Sequence, residues 1–377
     1  MVEIMRQKQE RPFDLDLLKQ PTKAKLQYFR DVIVPHRNIK QILDLLLKNA
    51  IEPDDASVYL VFGVTGVGKT RLMQEFQKRM VKHFMDELIE NPGSLIVGGI
   101  EVDSAEGGKF NYSDYYIQVL EALREVLIDY KITYDIDSAE ESDADALLGT
   151  FESKNSKALR RAMQKVFINR EVKAFTLDEA QHLFDVAGGK QINTQMNWLK
   201  SIANKTQTVH VLFGTYELLK CQKVNGQVGR RSEDFHLARY HAGKQADCEE
   251  YKKVIKTLQR HLPVSSESNL EKYADYFMEY SLGCVGILKS WWYRSLKNAL
   301  DNNAKTVRLK DFKAKALSSG RRNRIESEAI NGENNFAALH KQEDYDLSKI
   351  EPEKLPSQKR KSRNIAERNS KRDPVGI

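Results

Sequence analysis

The stretch SVYLVFGVTGVGKTRLMQEFQK (57–78) decides the fold. Its first six residues are mostly apolar and partly β-branched, which predicts a buried strand. Gly63-Val64-Thr65-Gly66-Val67-Gly68-Lys69-Thr70 follows, and then residues with helical spacing begin. A strand, a glycine-rich turn and a helix, in that order, form the setting in which G-x-x-x-x-G-K-[ST] wraps phosphate groups. The glycines let backbone N–H groups turn inward where a Cβ would obstruct them. The following helix adds its positive N-terminal end. ATP and Mg²⁺ are the cofactors this pattern predicts. Lys69 should reach the β- and γ-phosphates, the Thr70 hydroxyl should ligate the metal, and Gly63 to Thr70 with Arg71 should line the nucleotide.

Downstream, AFTLDEAQHL (174–183) is a second strand signal that ends in Asp178-Glu179. It resembles a Walker B segment. Asp178 would hold Mg²⁺ through water, and Glu179 would act as general base toward the attacking water. The alternative is an acidic pair that favours a helix start.

Strand signals at 57–62, 95–100, 172–177, 208–213 and 235–240 alternate with helical sequence, including 112–130, as far as the fourth. That alternation predicts an α/β fold with a parallel five-stranded sheet covered on both faces. From 247 to about 317 only helical patterns remain, so a small all-α lid domain is expected behind it. Trp291 and Trp292 are read as lid packing. The expected division is an N-terminal extension (1–24), the nucleotide-binding domain (25–245), the lid (246–317) and a flexible basic tail (318–377).

The chain has 377 residues, with 60 Lys and Arg against 53 Asp and Glu. The excess is not spread evenly. Residues 359–372 carry seven basic residues and one acid, while residues 1–358 carry 53 basic and 51 acidic. The body is nearly neutral, and bulk charge cannot hold it on nucleic acid. The polar segment 318–377 is too poor in apolar surface to offset its ordering entropy, which predicts disorder. It serves either as a solubilising tail or as an arm that meets a partner. The acidic run 135–145 reads as a solvated loop. Cys221, Cys248 and Cys284 form no close pair, which argues against a disulfide framework and for a reducing, cytoplasmic compartment. No apolar run is long enough to span a membrane, and the N-terminus lacks the pattern of a secretory signal.

Together these elements resemble the AAA+ ATPases over about residues 25–317. Three details narrow the likeness: DEAQHL (178–183), FGTYEL (213–218), and DVIVPHRNIKQILDLLL (31–47), whose Ile33-Val34-Pro35 looks like the segment that wraps adenine. They resemble transposon regulators of the TnsC/TniB type. The resemblance implies an oligomeric ATPase, a ring or helical filament of six or seven subunits per turn, formed on double-stranded DNA in the bacterial nucleoid. It would link a target selector of the TniQ/TnsD type to a transposase, the latter met through the C-terminal tail. It also implies that Thr215 orients the lytic water, a role compatible with a helix cap. Arg231 first, or Arg230, would be an arginine finger for a neighbouring subunit, against an ordinary solvated pair. DNA backbone contacts would come from Lys109 and from Lys154, Lys157, Arg160 and Arg161 in SKNSKALRRAMQK (153–165), read as the opening of a helix; the alternative is a solvated face. One departure stands out: GCVGILKSWW (283–292) has Ile287 where such lids carry an Arg, which leaves Lys289 as a substitute or the role absent. The competing reading is a replication initiator or helicase loader of the same superfamily. A nucleotide-gated signalling switch would append repeats, and a small-molecule P-loop kinase would need an Arg-rich lid; neither signal is present.

Overall fold

A computed structural model describes residues 11–54, 56–104, 110–126, 128, 144–184, 189–221 and 232–340, with only the backbone at 144–155, 189 and 190. In chain order the elements are α1 (Thr22–Asp31), α2 (Arg37–Ile51), β1 (Val58–Phe62), α3 (Lys69–His83), α4 (Met85–Glu90), β2 (Val97–Glu101), α5 (Tyr112–Ala122), α6 (Ala144–Asn169) and β3 (Ala174–Asp178). Then come α7 (Gly189–Thr206), β4 (Val209–Gly214), β5 (Ser232–His236), α8 (Gln245–Arg260), α9 (Ala274–Ser281), α10 (Val285–Asp301), α11 (Leu309–Lys315) and α12 (Ser319–Leu339). Residues 1–336 make one compact unit; of the second, 337–377, only residues 337–340 are described, and α12 ends among them at Leu339.

The five strands form one parallel sheet in the order β2-β3-β4-β1-β5. Every residue of β1, β3 and β4 is buried, as a strand covered on both faces requires. The register pairs Phe62 with both Gly214 and His236, and Glu101 with Asp178. The carboxyl ends of all five strands therefore line one edge. Sequence neighbours β1 and β2 lie apart, and β5 jumps to the far side of β1, so the crevice opens at the end of β1.

Two hydrophobic clusters divide the interior. One fills the faces of the sheet with α2, α3, α5, α6 and α7. The other gathers α8 to α11 around Trp291, Trp292, Phe277 and Phe312, with both tryptophans fully buried. Leu26, Phe29, Val32 and Val34 from α1 and the segment after it belong to this second cluster, although the sequence groups them with the nucleotide domain.

Four expectations are corrected. The last strand lies at Ser232–His236, not 235–240. It is an edge strand with only Phe235 buried, so its SEDFH pattern carries little apolar signal. Helix α5 stops at Ala122 instead of running to 130, and Arg124 just beyond has φ of 55°. Helix α6 starts at Ala144, so residues 153–165 are helix interior and offer no helix N-terminus to phosphate. Finally, α12 makes residues 319–339 helical where a flexible tail was expected. The helix has little apolar surface, but it docks through small residues and charges. Ala329 is buried, and Gly332 lies so close to Tyr216 that a Cβ would come within 2.1 Å of its ring. The Phe336 ring centroid is 5.4 Å from Phe62 and 4.5 Å from His236. Glu333 takes both Nε and Nη2 of Arg239, at 2.8 and 3.1 Å.

Candidate nucleotide site

The loop 63–70 leaves the central strand β1 and enters α3 at Lys69. Gly66 has φ of 77° and Gly68 of 121°, both in the region that favours glycine. Val64 and Val67 are buried beneath and anchor the loop. Lys69 is buried, and its ammonium donates to Gly63 O at 2.9 Å and Val64 O at 3.3 Å. Burial lowers its pKa, and the carboxylates of Glu179, Glu328 and Asp178 oppose that shift.

Asp178 ends β3 and is 5 % exposed. Burial raises its pKa, while hydrogen bonds from the Thr70 side chain and from Glu179 N, the latter 3.0 Å, favour its charged form. The two expected metal ligands, Thr70 and Asp178, are thus in contact. Among the described residues no group of three or more His, Cys, Asp and Glu could hold a metal. A hydroxyl and one carboxylate, with phosphate and water completing the shell, suit Mg²⁺.

Glu179 sits in the left-handed region, at φ 49° and ψ 36°. A non-glycine residue there is held against strain. Gln181 supplies part of the hold. Its Nε2 donates to Glu179 Oε2 at 2.6 Å, and its Oε1 accepts from Thr215 N at 3.1 Å. Gln181 therefore ties the expected base to the end of β4. Its letter stands in DEAQHL, but only the bend at Glu179 turns it back onto its neighbour. Thr215 Oγ1 also accepts from Glu217 N at 3.4 Å, a weak cap on the short 3-10 turn Tyr216–Cys221.

Beside the loop is a cavity of about 110 Å³ with Ile33, Val34, His36, Val67, Arg71 and Val285 in its wall. Ile33 is 43 % exposed at this opening, and Pro35 lies outside the wall. Burial holds His36 neutral, with a pKa of about 4, and its buried Nε2 has no hydrogen-bond partner among the described residues. An apolar slot of this kind fits a flat heteroaromatic base.

The lid seats directly on this loop. Ile287 N donates to Gly66 O at 3.2 Å, and a Cβ on Gly286 would meet the same oxygen at 2.5 Å. Lys289, the candidate for the missing Arg, lies in the wall of the same cavity. Its ammonium is fixed on Arg30 O and Val32 O, at 2.6 and 2.5 Å.

Arg230, Arg231 and Lys109 lie outside the described residues, as does the Lys154 side chain. Lys157 and Arg161 are exposed on α6; Arg160 is half-buried, 3.4 Å from Ser201 Oγ. Arg161 borders a cavity shared with Gly93 and Arg170, at the amino edge of the sheet and away from the nucleotide loop. No helix among the described residues is long and apolar enough to cross a membrane.

A family model described as an AAA domain matches residues 51–222. No curated protein matches in sequence. Among solved structures, the Aeropyrum pernix ORC1 protein in complex with DNA is similar, with 14% identity, 77% of this chain and 68% of that chain covered, and a TM-score of 0.50. The Aeropyrum pernix ORC2 protein, in ADPNP–ADP complexes, matches at 13% identity over 78% of this chain and 72% of that one, with a TM-score of 0.50. At these identities the likeness carries the fold. With the sheet order, the loop between β1 and α3 and the acidic end of β3, residues 51–222 form an AAA-type P-loop ATPase domain with the AAA+ fold.

Proposed function

We propose that the chain binds and slowly hydrolyses ATP, assembles as a homo-oligomer on duplex DNA, and regulates DNA transposition by bridging a target selector and a transposase. The observation that carries the ATPase reading is the convergence of Lys69, Thr70, Asp178, Glu179 and Thr215 on one sheet edge. Backbone N–H groups of the loop and Lys69 would hold the phosphates, Thr70 and Asp178 the Mg²⁺, and Ile33 and Val34 one face of the base. The bound metal supplies positive charge to the phosphate oxygens. Glu179 takes the proton of the attacking water, and Gln181 keeps its carboxylate aimed. The Lys289 ammonium is held by main-chain carbonyls, which supports slow turnover and a cation from a neighbouring subunit, Arg231 or Arg230. Lys109, Lys154, Lys157, Arg160 and Arg161 are the candidates for DNA contact. The transposition part rests on the resemblance of DEAQHL, FGTYEL and residues 31–47.

The second reading, a replication initiator, is favoured by the fold shared with the DNA-bound Aeropyrum pernix ORC1. One experiment separates these cases: image the protein with duplex DNA and a non-hydrolysable ATP analogue, then add transposase or replicative helicase. Nucleotide-dependent oligomers that capture the transposase support the first reading, and capture of the helicase supports the second. Lys69→Ala should abolish assembly. Glu179→Gln should lower hydrolysis about 100-fold while oligomers persist on DNA; ordinary turnover in that variant removes Glu179 from its role.

A further inference from the structure

The phosphate loop has a second neighbour that the reading above does not use. On α12, Glu328 Oε1 accepts from both Thr65 N and Thr65 Oγ1, at 3.2 and 3.1 Å. A carboxylate thus occupies donors of a loop whose glycines are arranged to bind anions. Glu328 is not a drifting surface chain. One turn further along, Gly332 packs on Tyr216 and Glu333 grips Arg239, a pair whose side chains are only 19% and 14% exposed. Arg239 also donates to Leu282 O at 3.2 Å, which ties the grip to the lid.

The position of Glu328 is informative. The ammonium of Lys69, the group that reaches toward the β- and γ-phosphates, lies over Gly63 O and Val64 O. Those residues directly precede Thr65. The α- and β-phosphates belong to the helix end of the loop, so Glu328 stands on the side where a third phosphate arrives. The field of Glu328 also acts on Lys69, more strongly than that of Asp178.

We propose that Glu328 sets the preference of this site between diphosphate and triphosphate: its carboxylate holds the outer rim of the loop at Thr65 and competes there with the third phosphate. The role rests on the reading of residues 63–70 as an ATP site. A diphosphate leaves the contact between Glu328 and Thr65 intact, whereas a triphosphate brings like charge against it and loosens α12 at that point. Glu328 is therefore a specificity-determining residue supplied by the C-terminal helix.

The test compares equilibrium binding of fluorescent ADP and a fluorescent non-hydrolysable ATP analogue, with Mg²⁺, to the full chain and to Glu328→Gln and Glu328→Asp. Gln keeps a hydrogen-bond acceptor for Thr65 and removes only the charge. The expected result for Glu328→Gln is an affinity for the triphosphate about tenfold higher, with a change under about twofold for ADP. Glu328→Asp should keep a ratio close to that of the wild type. Equal changes for both nucleotides, or none, in a protein whose wild type binds them would overturn the role of Glu328 alone. Failure of the wild type to bind either nucleotide would overturn the ATP site, and this role with it.

Discussion

The phosphate loop is gripped from two sides, and the two grips are made of different chemistry. The lid helix α10 meets Gly66 with backbone: an N–H on a carbonyl, and Gly286 at a distance that excludes any side chain. Helix α12 meets Thr65 with a carboxylate and is anchored by an ion pair to Arg239. The first contact depends on shape and is indifferent to charge, so it can persist through a nucleotide cycle. The second is anionic at a place built for anions, so it is the one that a change of phosphate number disturbs.

The largest effect expected from breaking this contrast comes from the shape side. Gly286→Val drives a branched side chain into Gly66 O and should displace the lid, with a loss of about 1–3 kcal/mol in thermal stability and a nucleotide affinity about tenfold weaker. A variant that binds as the wild type does would show that the lid seat on Gly66 is dispensable. On the charge side, Glu333→Ala leaves Arg239 without its carboxylate in a half-buried position. It should lower stability by about 1–2 kcal/mol and raise hydrogen exchange across α12 before it does so in the sheet. Uniform exchange changes would mean that α12 has no independent motion.

A separate effect concerns acid. Burial holds His210, between the rings of Phe167 and Phe175, and His36, beside Tyr240, at pKa values of about 4 against 6.5 for a free imidazole. Between those values the unfolded chain binds protons that the folded chain refuses. Stability is therefore complete above about pH 6.5 and falls as pH drops toward 4, by roughly 1.4 kcal/mol per pH unit for each histidine. Denaturation midpoints of His210→Phe, followed from pH 7 to 5, should show a shallower slope than those of the wild type. An unaltered slope would mean that His210 is protonated in the folded protein.

What the sequence reveals follows from where backbone geometry restricts residue choice. Gly66 and Gly68 are legible because their positive φ leaves few alternatives, and Lys69 and Asp178 because a buried charge needs a reason. The central strands are legible because burial on both faces demands continuous apolar runs. The edge strand β5 is not, since three of its four half-exposed residues, Ser232, Glu233 and Asp234, look like a loop. Helix α12 hides for a related reason. Besides Ile325 and Phe336, its docking uses Ala329, Gly332 and two glutamates, so its apolar residues are too few and too far apart to give a stripe. Gln181 is visible as a letter and invisible as a bridge, because the bend at Glu179 exists only once the strand has ended.

Helix α12 also has a mechanical side. Near its start, the Arg322 guanidinium stacks on lid Tyr280, 4.5 Å from the ring centroid, while Phe336 near its end is packed on Phe62 and His236. Fourteen residues of helix between them span about 21 Å. With Phe336 as fulcrum, a tilt of about 10° at the phosphate loop would carry the Arg322 end through roughly 4 Å. Glu328 lies partway along that arm. Glu328 is about 12 Å from that fulcrum, so a displacement at Thr65 is multiplied roughly 1.8-fold before it reaches the lid at Tyr280.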